Sequence, residues 1–163
     1  MSRRDPAADA LVIRRAQPAE APVLRDLAIA SKAYWGYADE WMARWASLLR
    51  LPPAYVRDNE VFVATRDQIV GFYALIFRGS LATLDHLWVL PVCIGQGVGG
   101  ALFAHALAHA AQRRAQVIEI EADPNAVGFY AHMGARQVRE TIGDMGRVLP
   151  IMAIDVSPRS SRR

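Results

Sequence analysis

The sequence predicts a single mixed α/β domain spanning residues 1–163. Three observations carry the prediction. Hydrophobic spacing switches repeatedly between the period of a strand and that of a helix. A glycine-rich segment from Gly95 to Gly100 stands between a predicted strand and an alanine-rich helix. The chain has 163 residues, 53% of them apolar, which is enough for one core.

Leu11 to Arg15 reads as a first strand, and Gln17-Pro18-Ala19-Glu20 opens an amphipathic helix with Val23, Leu24, Leu27 and Ile29 as its apolar positions. After the Gly36 break, Asp39 to Leu51 is predicted helical, with Tyr34, Tyr37, Trp41 and Trp45 three and four apart on one face, and Pro52-Pro53 ends it. Val61 to Ala64 and Ile69 to Leu75 flank Arg66-Asp67-Gln68 as a hairpin, and Leu81 to Leu90 adds a third strand of an antiparallel meander. Pro91 stops that strand. The glycine segment, a helix from Ala101 to Arg114 and a strand from Val117 to Glu121 then make a β-loop-α-β unit. Pro124 opens a short helix through about Met133, Gly134 closes it, and Arg136 to Glu140 and Val148 to Val156 close the domain as strands around Gly143 and Gly146.

Composition narrows the function classes. Charged residues make up 21% and the apolar runs are too short to span a bilayer, so no membrane segment is expected. Met1-Ser2-Arg3-Arg4-Asp5-Pro6 is followed by no apolar stretch, so no secretory signal is visible and a cytoplasmic protein is expected. One cysteine, Cys93, cannot form an internal disulfide, and zinc held by clustered cysteines is excluded. The net charge of +3 equals the contribution of Arg159, Arg162 and Arg163, which leaves a neutral body and argues against nucleic-acid binding. Residues 1–10 and 157–163 are expected to be disordered tails.

Gly95-Gln96-Gly97-Val98-Gly99-Gly100 lacks side chains where a backbone must come close to a ligand, and a helix begins at its end. Unpaired N–H groups and the positive end of the helix dipole converge there, which suits a pyrophosphate without a lysine. Tight packing of helix on sheet is the plainer alternative. The same residues spell the glycine pattern of dinucleotide-binding folds, with Glu119 or Glu121 at the end of the next strand. Against that, Pro91-Val92-Cys93-Ile94 separates the strand from the first glycine, and too little chain follows Glu121 to complete a doubly wound sheet.

Leu84-Asp85-His86-Leu87-Trp88-Val89-Leu90-Pro91 followed by Ile94-Gly95-Gln96-Gly97-Val98-Gly99-Gly100-Ala101-Leu102 resembles the cofactor motif of the GNAT superfamily of acyl-CoA N-acyltransferases. Asp123-Pro124-Asn125-Ala126-Val127-Gly128-Phe129-Tyr130-Ala131-His132-Met133-Gly134-Ala135 is similar to that superfamily's second characteristic stretch. The resemblance covers roughly residues 11–156 in element order. It implies a mixed, splayed sheet of about six to seven strands flanked by about four helices, with acetyl-CoA as acyl donor. One departure stands out: Ile94 holds a position where the family usually has arginine or glutamine, so phosphate binding is expected to lean on backbone groups.

Transfer from a thioester to an amine needs a neutral amine, a donor for the carbonyl oxygen and a proton for the departing thiolate. The resemblance places the carbonyl's donor among the backbone amides of Leu87, Trp88 and Val89, and the general acid at Tyr130. The plain reading of Tyr130 is an aromatic packed beside Phe129. Asn125 matches a position that contacts the cofactor's pantetheine arm, and equally suits a cap after Pro124. Asp85, His86, Glu40, Glu119 and Glu121 are candidate bases, with water as another. Strand alternation puts Asp85 and His86 on opposite faces.

The Tyr34-Trp35-Gly36-Tyr37 segment with Trp41 and Trp45 lies where the superfamily builds a wall of its acceptor pocket, which suits an aromatic or amphipathic small-molecule amine. Core packing is the plainer role of Trp41 and Trp45. His105 and His109 lack a third metal ligand, and nothing near Cys93 activates it as an acyl carrier. Direct transfer is therefore expected. A CoA-binding domain without catalysis is the alternative. Homodimers are common among the proteins this chain resembles, with no residue here pointing to an interface.

Overall fold

The computed structural model describes residues 10–156; the two expected tails, with Arg159, Arg162 and Arg163, lie outside the described residues apart from position 10. The elements run β1 (Val12–Arg15), a 3-10 turn at Pro18–Glu20, α1 (Ala21–Ala33), α2 (Asp39–Leu48), α3 (Pro53–Asp58), β2 (Glu60–Thr65), β3 (Ile69–Arg78), β4 (Leu81–Val89), α4 (Val98–Gln112), β5 (Val117–Glu121), α5 (Val127–His132), β6 (Arg136–Ile142) and β7 (Val148–Asp155). The seven strands form one mixed sheet in the order β1-β2-β3-β4-β5-β7-β6. Strands β2, β3 and β4 are neighbours in chain order, joined by links too short for anything but an antiparallel return, as the meander reading expects. β5 runs parallel to β4, and the ladder between them covers only Leu81–Thr83 against Val117–Glu119. β7 then inserts antiparallel between β5 and β6.

The described residues divide into two compact units, 10–74 with 86–102, and 75–85 with 103–156, and β3, β4 and α4 each contribute residues to both. In the first unit, Leu24, Leu27 and Ala28 of α1 pack with Val56 of α3, Val61 and Val63 of β2, and Phe72 of β3. In the second, Phe103 and Ala106 of α4, Ile118 and Ile120 of β5 and Met152 of β7 are buried.

The structure corrects several boundaries. Pro52-Pro53 does end the second helix region, with α2 stopping at Leu48, but Pro53 also starts α3. Its missing N–H costs nothing at a first helical position, which is why a proline pair can open a helix as well as close one. The described residues thus hold five α-helices, in line with the about four expected. On α1 the buried stripe is Ala21, Leu24, Leu27, Ala28, Ser31 and Lys32, while Val23 is 50% exposed. Small alanines set the packed face there, so weighting only large apolar residues rotates the predicted stripe.

Helix α4 ends at Gln112 and is capped by Arg114, the only described non-glycine residue with positive φ, at 61°. Ala115 N–H donates to Ala110 O and Arg114 N–H to Ala111 O, the pattern of a left-handed C-terminal cap. Arg114→Gly should remove the side-chain strain and raise stability by about 1 kcal/mol, or roughly 2–4 °C in a thermal melt; an unchanged midpoint would show the backbone relaxed at no cost.

Candidate active site

The glycine segment lies in the first unit. Pro91–Cys93 forms a 3-10 turn after β4, and Gly95 and Gly97 then take φ of 82° and 84°. Those values belong to the left-handed region, so the two glycines carry the reversal into α4. A Cβ placed on Gly95, Gly97 or Gly100 would meet nothing within 4 Å. The surface over the loop is therefore open. Helix α4 starts at Val98, inside the glycine segment rather than after it, and Ala101 N–H makes the bond to Gly97 O. The N–H groups of Val98, Gly99 and Gly100 thus precede the first intrahelical donor and carry the positive end of a long helix's dipole. This backbone fits an anionic phosphate group.

Gln96, within the loop, is held by both ends of its side chain. Its Nε2 donates to Val92 O at 3.0 Å, and its Oε1 accepts from Arg66 Nη1 at 2.7 Å. Arg66 comes from the turn between β2 and β3, 30 residues away in sequence. Ile94 is 38% exposed and brings no charge to the loop.

The end of β4 is set by β3. Leu90 N–H donates to Val70 O at 2.8 Å. At Gly71, an added Cβ would lie 2.9 Å from Trp88 O, 2.9 Å from Leu102 Cδ1 and 3.2 Å from Val98 Cγ1. The bare backbone of Gly71 thus lets β3 approach both the end of β4 and the first turns of α4. A mid-strand glycine signals such an approach, and it was the one cue in the sequence for this residue.

On the same unit, Lys32 is only 5% exposed. Its Nζ lies 5.1, 5.3, 5.4 and 5.8 Å from the ring centroids of Tyr37, Trp41, Trp45 and Trp88. Tyr37 stacks on Trp41, and Trp45 meets Trp88 edge to face at 5.5 Å. Three of the four aromatics predicted on one face, Tyr37, Trp41 and Trp45, therefore pack together with Trp88 around an ammonium from α1, a stabilising arrangement when desolvated. Tyr34 stays outside it, 53% exposed and paired with Trp35. Lys32 recurs at helical spacing after Leu24 and Ala28, so its burial was readable, but not what surrounds it.

Trp88 Nε1 donates to His86 Nδ1 at 3.0 Å, and the imidazole sits against Tyr55 and Phe72. In the neutral ring this leaves the proton on Nε2, so the nitrogen that could accept a proton is already engaged. Glu40 is an exposed residue in the first turn of α2.

The second unit holds the other candidates. Glu119 is gripped by both Nη atoms of Arg139, at 2.7 and 2.6 Å, and this hydrogen bonding holds its carboxyl below the ordinary range. Glu121 goes the other way: desolvation first, then the charges of Asp144 and Asp85, push its carboxyl up. Two of the candidate bases, Asp85 and Glu121, are thus brought within electrostatic reach of each other, and a third is tied off. Tyr130 is 6% exposed, with its ring against Phe103 and Phe129. Burial, and secondarily Asp123, push its phenol well above the ordinary value, so it stays protonated across the physiological range.

Asp123, absent from the predicted set, organises this region. It caps the Pro124–Ala126 turn by accepting from the Asn125 N–H at 2.8 Å and from Asn125 Nδ2 at 3.0 Å, and pairs with Arg147 at 3.5 Å. The cap therefore falls on Asp123, with Asn125 bonded to it. Aspartate before proline is a helix-start signal that could have found it. Among the described residues no group of three His, Cys, Asp or Glu could hold a metal ion. His105 is pushed down by burial and then by His109, and Cys93 is buried. No helix among the described residues is long and apolar enough to cross a membrane.

Comparison with known proteins bears on the whole arrangement. Residues 51–155 match the family described as acetyltransferase (GNAT) domain. A peptidyl-lysine N-acetyltransferase, YjaB, of Escherichia coli strain K12 is 36% identical over 107 residues, covering 65% of this chain and 65% of that protein. Its counterpart in Salmonella typhimurium is 34% identical over 56% of this chain and 60% of that one. The chain thus spans just under two thirds of the length of these relatives. Among solved structures, a GCN5-related N-acetyltransferase from Rhodopseudomonas palustris superposes with a TM-score of 0.76 at 24% identity, over 88% of this chain and 94% of that one. The PaiA N-acetyltransferase from Thermoplasma acidophilum, solved with coenzyme A, gives 0.76 at 18% identity, over 90% and 99%. At these identities the two structures speak for the fold.

Proposed function

Because the chain belongs to the GNAT acetyltransferase family, we propose that it transfers an acetyl group from acetyl-CoA directly to an amine. The observation that carries the reading is the open Gly95–Gly100 backbone at the start of α4, which suits the pyrophosphate of coenzyme A. Gly95, Gln96, Gly97, Val98, Gly99 and Gly100 would hold that group, with Asn125 toward the pantetheine arm. Bound acetyl-CoA supplies an activated carbonyl and a thiolate leaving group.

The chain's own residues divide the remaining work. Backbone amides in Leu87, Trp88 and Val89, past the end of the β4–β5 ladder, would donate to the carbonyl oxygen as negative charge gathers on it. Tyr130, kept neutral by burial, would present its hydroxyl hydrogen to the leaving sulfur. Glu121 would take the proton from the acceptor ammonium, directly or through water, aided by a carboxyl raised by its surroundings. Glu119 and His86 are poorly placed for that role because Arg139 and Trp88 already engage them.

The name of the curated relatives, peptidyl-lysine N-acetyltransferase, supports a lysine ε-amine as the first acceptor to try, alongside the small-molecule amine suggested by the aromatic segment. The first test is a thermal melt with acetyl-CoA, CoA, NAD and NADP. A ligand at roughly one hundred times its dissociation constant stabilises by ~2.7 kcal/mol, which should raise the midpoint by about 5–10 °C. A shift with acetyl-CoA and CoA, followed by CoA release in the presence of a lysine peptide or an amine panel, is the expected result. A shift without turnover on any acceptor would favour the non-catalytic CoA-binding alternative, and a shift with NAD or NADP alone would overturn the reading.

A further inference from the structure

We propose that Arg66 is the phosphate-binding cation of the glycine loop, delivered from the β2–β3 turn to a loop whose own position 94 is uncharged. The inference rests on the acetyl-CoA reading above and deepens it. Three observations converge. Ile94 supplies no charge beside Gly95, so the loop by itself offers only backbone N–H groups. Arg66 reaches that loop, with Nη1 donating to Gln96 Oε1 at 2.7 Å. Its Nε is buried without a hydrogen-bond partner, and among the described residues Arg66 makes no ion pair.

Protein covers Nε, so an anion from solvent would meet the guanidinium at its Nη end, where Nη1 already reaches the loop in an exposed contact and no carboxylate among the described residues offsets the charge. A pyrophosphate is such an anion, and its oxygens match the planar donor fork of arginine. Gln96 fixes the fork's position. Its carbonyl accepts from Arg66 while its amide donates to Val92 O, so the side chain locks the arginine to the loop's own backbone. A cation held from outside the loop does what an arginine at position 94 would do from inside it.

The test is calorimetric titration of CoA and of 3′-dephospho-CoA into the wild type and the Arg66→Met, Arg66→Lys, Gln96→Ala and Arg66→Met/Ile94→Arg variants, each checked by its melting midpoint. Arg66→Met should weaken CoA binding by about tenfold to a hundredfold and flatten the dependence of the dissociation constant on salt. Arg66→Lys should retain the salt dependence and lose less affinity. The Ile94→Arg second change should restore most of what Arg66→Met removes, because it returns the charge to the same loop. The loss should be equal for the two ligands, since both carry the pyrophosphate.

Unchanged affinity and salt dependence in Arg66→Met would overturn the proposal, as would a loss in Gln96→Ala equal to that in Arg66→Met with no rescue by Ile94→Arg, which would reduce Arg66 to a prop for Gln96. A loss seen with CoA and absent with 3′-dephospho-CoA would move the contact off the pyrophosphate and overturn the assignment. A wild-type protein that binds neither ligand fails the acetyl-CoA reading itself, an outcome distinct from tight wild-type binding that the Arg66 variants leave untouched.

Discussion

Tyr130→Phe is expected to lower kcat by roughly a hundredfold, within the range for loss of one positioned proton donor, while the dissociation constant of acetyl-CoA changes little. The ring sits among Phe103 and Phe129 in a space that phenylalanine fills equally well, so the substitution removes the hydroxyl and keeps the packing. Because burial and Asp123 hold the phenol protonated, kcat/KM should show no alkaline fall from Tyr130 ionising near its ordinary value. On the acid side, a base at Glu121 should give a limb above the ordinary carboxylate range, since the proton must leave a carboxyl whose affinity for it is raised. Equal turnover in Tyr130→Phe and the wild type would return Tyr130 to a packing role.

Gly71→Ala should destabilise the fold by about 1–3 kcal/mol, the usual cost of forcing a methyl into a filled space. For a chain of this size that is a fall of roughly 3–10 °C in melting midpoint. One of the atoms in the way, Trp88 O at 2.9 Å, belongs to the backbone and cannot rotate aside, and the others are Leu102 Cδ1 and Val98 Cγ1. Relief therefore requires β3 to move from the end of β4 or from the first turns of α4. Both carry groups assigned here to cofactor binding, so acetyl-CoA affinity should fall together with stability. A stable Gly71→Ala protein with full affinity would show that the strand and helix can separate freely.

The predicted elements that held were those written in short-range signals. The hairpin around Arg66-Asp67-Gln68, the stop at Pro91 and the glycine entry to α4 each depend on neighbours a few residues apart, and all stand in the structure. Helix α3 is hidden in the sequence because a proline pair is the same signal at the end of one helix and the start of the next. The stripe on α1 was rotated because alanines, which pack well but weigh little, line its buried side.

What the sequence determined by itself was the order of the seven strands and of every helix but α3, the glycine turn at Gly95–Gly100 that leads into α4, and the motif around Tyr130. Local periodicity, turn chemistry and a helix start are all encoded within a few residues of the groups they arrange. Tertiary structure alone decided that Lys32 lies among Trp41, Trp45 and Trp88, that Arg66 reaches Gln96, and that Arg139 takes Glu119 and leaves Glu121 raised. Those outcomes depend on strand register and on which helix face packs where, and a single register step would send Trp88, Glu119, Glu121 or Arg139 to the opposite face of its strand.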